Sequence, residues 1–63
     1  MKFKTNVDAD GNWAVCTKEA GDVIVDMMTE ETAIMVCNGL NTCPFPLDTQ
    51  TSLKIANILK ENN

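Results

Sequence analysis

The side chains in this chain that could do chemistry are carboxylates and thiols. The sequence has no His, no Tyr and no Arg, and its basic residues are five Lys. A cysteine nucleophile needs a neighbouring base or an electropositive setting to form thiolate. Cys16 and Cys37 stand in apolar runs and read as small core residues, while Cys43, next to Pro44, is the thiol expected to be accessible. Glu30 and Glu31 could be proposed as an acid and base pair, but adjacent helical residues point in different directions. Complementing a helix dipole from the first turn is the better account of them. No Gly-rich phosphate loop or nucleophile elbow is present. The expectation is a protein that is not an enzyme.

One stretch has a ligand-like rhythm: Asn6, Asp8, Asp10 and Gly11. It resembles the opening of an EF-hand calcium loop, in which side-chain oxygens at alternate positions are followed by a Gly turn. The likeness ends after six residues. The twelfth loop position, which should be a bidentate Glu, is Thr17, and the eighth, usually a small aliphatic residue, is Trp13. An Asp-Gly hairpin turn explains the same residues. Three scattered Cys without His lack the spacing of a zinc site, so no metal or cofactor is expected.

Charge narrows the partner. A formal net charge of −4 and the absence of the Arg fork argue against direct nucleic-acid binding. Between Thr5 and Leu53 stand Asp8, Asp10, Glu19, Asp22, Asp26, Glu30, Glu31 and Asp48 against the single Lys18. No apolar run approaches the ~20 residues of a membrane helix, and no export signal is visible. Three cysteines in such a chain favour reduced thiols and a cytoplasmic location, with a Cys37–Cys43 bridge the sterically open alternative.

The elements follow from periodicity. Phe3, Thr5 and Val7 alternate with Lys4 and Asn6 as a half-buried strand does. A turn over Asp8 to Asn12 leads to a second strand at Trp13 to Cys16, and a Gly21-Asp22 turn to a third at Val23 to Met27. The third is the most β-branched and is expected to be the central or best-paired strand. Thr29 is set to cap a helix whose apolar face is Ala33, Val36, Cys37 and Leu40, with Gly39 suited to end it. Pro44 and Pro46 impose an extended loop, with Phe45 expected to plug the core. Asp48 or Thr49 then caps a last helix with Leu53, Ala56 and Leu59 on its apolar face, flanked by Ile55 and Ile58.

Strands followed by helices predict one small α+β domain over residues 1–63, a three-stranded antiparallel meander with two helices on one face. At this length roughly 60% of the unfolded surface is buried, so the second sheet face stays open to a partner. Met27 and Met28 are adjacent in an extended run, so at least one should point outward. The run Asp10 to Val15, the Gly21-Asp22-Val23-Ile24 turn and strand, and Thr29 to Asn41 resemble short open reading frames of bacteriophages. That resemblance implies an accessory factor that binds and modulates a host protein.

Composition and pattern point to an acidic protein-binding module that docks on a protein with a basic surface, and the bacteriophage resemblance implies that it acts there as an inhibitor or modulator. Carboxylates would steer the encounter and Trp13 or a Met would anchor it. The residues expected to contact the partner are Trp13, Asp22, Asp26, Met28, Glu30 and Glu31. The alternative is a structural homodimer that completes itself with its own copy.

Overall fold

The computed structural model describes residues 2–44 and 47–62. Its elements are strands β1 (Phe3–Val7), β2 (Trp13–Thr17) and β3 (Val23–Met28), then helices α1 (Glu30–Asn41) and α2 (Thr49–Glu61). The strands form one antiparallel sheet in the order β1-β2-β3. This is the α+β arrangement the element order predicts.

Asp8 builds the first turn. Its Oδ1 accepts the backbone N–H of Asp10 and of Asn12, each at 2.9 Å, and Gly11 sits at φ 84. The side chain thus holds the turn that returns the chain into β2. In the second turn the Thr17 hydroxyl accepts the N–H of Asp22 at 3.0 Å, and Gly21 takes φ 73.

The central strand is β2, not the β-branched β3. A meander puts its middle strand in the middle whatever the propensities of the others, and Val23 at the start of β3 is 57% exposed. The regularity of β3 is broken as well. Cys16 pairs with Val23 and Val15 with Val25, so Ile24 is an extra residue; Trp13 then pairs with Met28, so a second extra residue falls at Asp26 or Met27. The first bulge lets Ile24 and Val25 both face the core. The second turns Asp26 and Met27 outward, with Met27 at φ 60.

Two bulges also shift the side-chain frame. Met28, expected at the surface, is 6% exposed and belongs to the core, whereas Met27 is the outward methionine at 64%. Strict alternation from Val25 gives the opposite assignment.

Both helices cover the inner sheet face, with α1 over β1 and β2 and α2 over β3. The shared core joins Phe3, Val15, Ile24, Val25 and Met28 to Ala33, Val36, Leu40, Leu47 and Ala56. Thr29 caps α1 as expected, its hydroxyl accepting the N–H of Thr32 at 3.3 Å. Gly39 does not end the helix. Leu40 is buried on the same face as Val36, α1 runs on to Asn41, and Thr42 closes it by donating its hydroxyl to the Asn38 carbonyl at 2.8 Å. At Gly39 the two helices meet so closely that a Cβ would lie 2.8 Å from Leu59 Cδ1.

The Asp48 side chain caps α2 by accepting the Thr51 N–H at 2.7 Å. The inward face of α2 is Ser52 and Ala56 with Ile55 and Leu59 half-buried, rotated from the expected stripe, so that Leu53 and Ile58 are exposed. The hydroxyl of Ser52 makes that burial tolerable by donating to the Asp48 carbonyl at 2.7 Å. Phe45, the expected core plug, lies outside the described residues.

Asn41 ties the end of α1 to the sheet edge. Its Oδ1 accepts the Phe3 N–H at 2.9 Å, and its Nδ2 donates to the Phe3 carbonyl at 3.1 Å.

Two expectations test this description. A left-handed backbone at an exposed non-Gly residue costs about 1–2 kcal/mol. Met27→Gly should therefore raise stability in urea unfolding by about 0.5–1 kcal/mol, after the extra freedom Gly gives the unfolded chain. Hydrogen bonds from Thr51 hold the Asp48 carboxyl below its usual value. A lowered folded-state value contributes stability that is present above the unfolded carboxylate's pKa and lost as pH falls through the folded one. Thermal melts of Asp48→Ala and the parent should therefore differ at neutral pH and converge in acid below about pH 4.

Candidate protein-binding surface

Five of the carboxylates meet at one end of the sheet. The β1–β2 turn carries Asp8 and Asp10, the second bulge of β3 carries Asp26, and the first turn of α1 carries Glu30 and Glu31. The register Val7–Trp13–Met28 crosses the three strands at this same end. All five carboxylates are exposed, and so is Met27, beside Asp26 in the second bulge of β3. The Lys60 ammonium reaches this end, its Nζ donating to the Asp26 carbonyl at 2.8 Å.

Of the residues expected to form the contact, Trp13, Asp26, Glu30 and Glu31 are brought together here. Trp13 is half-buried and packs against the core, so it closes the end of the apolar layer and offers only part of its ring. Met28 lies beneath the surface, and Met27 takes its place. Asp22 is not brought to this end: it precedes β3 at the other, roughly 13 Å from Asp26 at ~3.3 Å per residue. The contribution of Asp8 and Asp10, which sequence reasoning assigned only to the turn, could have been found from the hairpin. Pairing Val7 with Trp13 sets their turn beside Trp13.

The opposite end is basic along β1. Lys2 and Lys18 flank an open cleft of about 440 Å³ that is also lined by Phe3 and Asn41. The exposed carboxylates Glu19 and Asp22 of the β2–β3 turn lie at this end too, so here both signs of charge are mixed. At the acidic end, carboxylates without a dense field of neighbouring Lys project a negative potential that attracts a basic surface from beyond contact distance.

All three cysteines are free thiols. Cys16 and Cys37 are buried and Cys43 is half-buried. Burial pushes the Cys37 thiol up, and the Asn41 amide, 3.5 Å from its Sγ, partly offsets this. Among the described residues, no group of three His, Cys, Asp or Glu is placed to hold a metal ion. Nor is any helix among them long and apolar enough to cross a membrane.

Comparison of the chain with protein-family models, with curated proteins and with solved structures finds no match. The class that the fold defines is a small α+β domain, with five exposed carboxylates at one end of its sheet.

The thiol environments predict an order of reactivity. With a small alkylating reagent under native conditions, Cys43 should be modified first, and Cys16 and Cys37 only at the rate of opening. Peptide mapping by mass spectrometry over a time course reads this directly, and early modification of Cys37 would contradict its burial.

Proposed function

We propose that this protein is a binding module that docks its acidic end on a basic surface of another protein. The observation that supports it most is that Asp8, Asp10, Asp26, Glu30 and Glu31 stand exposed at the same end of the sheet as the exposed Met27. Long-range attraction to such a cluster raises the association rate, and a flexible, polarisable Met adapts to an apolar recess on the partner. The Trp13 edge adds a rigid aromatic beside it.

In this reading there is no catalytic step; occupancy of the partner is the effect. The bacteriophage resemblance of the strand and helix motifs favours an inhibitor or modulator of a host protein. Free, largely buried thiols fit a reducing compartment such as the cytoplasm.

The test uses tagged protein to capture partners from lysate of its native host, beside a Glu30→Gln/Glu31→Gln variant and a Met27→Ser variant. Gln removes the charge while keeping a good helix former in the first turn. The expected result is one stoichiometric partner that salt releases, with slower association and a flatter salt dependence for the Gln variant and faster dissociation for Met27→Ser. A partner bound equally well by all three proteins would move the contact away from this end.

A further inference from the structure

The two edges of the sheet are not alike. Along β3 two bulges and the left-handed Met27 interrupt the backbone, and the Lys60 ammonium sits on the Asp26 carbonyl, so a further strand has no regular ladder to join. Along β1 pairing is regular throughout, with no shift in register. Even-numbered residues bond to β2, as shown by Lys18 N–H on the Lys2 carbonyl at 2.8 Å and Asp8 N–H on the Asn12 carbonyl at 3.0 Å. Odd-numbered residues therefore direct their N–H and C=O groups to the free edge. Asn41 satisfies both groups of Phe3. Those of Thr5 and Val7 remain presented outward.

We propose that this edge pairs with β1 of a second copy of the chain, antiparallel, with Thr5 opposite Val7 of the second copy and Asn6 opposite Asn6 at the two-fold axis. Three observations select this occupant and register. Asn41 blocks any register that draws Phe3 into the ladder, and sliding the other way brings Ala9, already in the turn, opposite Thr5. Thr5 and Val7 are the outward pair left, and each Thr5–Val7 match exchanges both backbone hydrogen bonds.

The strand is also charge-polar, with Lys2 and Lys4 toward one end and Asp8 and Asp10 beyond the other. In this register Lys4 faces Asp8 of the second copy on the solvent side of the sheet, twice by symmetry. A parallel match would set like charges together. Finally, odd residues point to the helix layer in both copies, so the six strands form one sheet with all four helices on one face, and Val7, 45% exposed in the single chain, is covered.

This pairing draws Asp8 out of the acidic end, while Asp26, Met27, Glu30 and Glu31 lie away from the β1 edge and stay open in the dimer. One short strand pair is a small interface, so the dimer is weak and its population rises with protein concentration.

Sedimentation velocity of the full chain, from about 10 μM to about 1 mM, tests the proposal. A monomer–dimer equilibrium is expected. Thr5→Pro, which removes an N–H that β2 does not use, should weaken it, and Lys4→Glu should weaken it roughly fivefold or more by setting like charges opposite. Asp8→Asn keeps the side-chain acceptor that builds the turn and removes the charge; it should weaken the dimer, and do so no further in a Lys4→Met background. Circular dichroism establishes that each variant is folded. Should Thr5→Pro not fold, the Lys4 and Asp8 variants decide alone. A monomer at every concentration overturns the proposal, as does a dimer indifferent to Lys4 and Asp8. So does a chain that stays monomeric yet binds an unrelated extended peptide at this edge.

Discussion

Everything in this fold depends on one constraint: a sheet of three short strands must bury its apolar face, and the described residues supply two helices with which to do so. They cover one side. Phe3, Val15, Val25 and Met28 therefore face Val36, Leu40 and Ala56, and among the described residues no further layer lies beyond them. A core this thin tolerates little disorder at its boundaries, which is where its polar devices are found. Thr29 and Asp48 cap the helices, Asp8 and Thr17 fix the turns, and the Asn41 amide fastens a helix end to the sheet. Each satisfies backbone groups that a larger protein could leave to neighbouring elements.

Much of this was legible in the sequence, because it is written in local chemistry. Thr29 before Glu30 and Glu31, Asp48 before the last helix and Asp8 to Gly11 between two extended runs each act within a few residues of themselves. The alternation of Phe3, Thr5 and Val7 likewise reports a strand whose pairing is regular. Errors arose where tertiary packing overrode a local rule. Gly39 is a stop signal by propensity, yet burying Leu40 one residue later carries the helix onward, and the missing side chain is used to admit Leu59. For the last helix, counting apolar residues favoured Leu53; the observed stripe turns about a buried serine instead. Nothing local announces the bulges in β3, since Met is a poor choice for a left-handed backbone, and so the outward methionine could not be assigned.

The site shows the same division. Net charge and the excess of carboxylates are sequence facts, but their arrangement belongs to the fold. A hairpin returns Asp8 and Asp10 to the end where β3 hands over to α1, while Asp22, only four residues before Asp26, is carried to the far end by the length of a strand. Proximity in sequence and proximity in space part company wherever an extended segment intervenes.

The amide of Asn41 has a consequence for the order in which this chain acquires its structure. Both hairpins join near neighbours, whereas the clasp on Phe3 closes a span of 38 residues and needs a finished α1. Local pairing precedes such closures on the folding path, because their chain-entropy cost is met late. If the clasp is set only after the barrier is crossed, it acts as a latch that slows escape from the folded state and leaves the speed of reaching it almost unaltered.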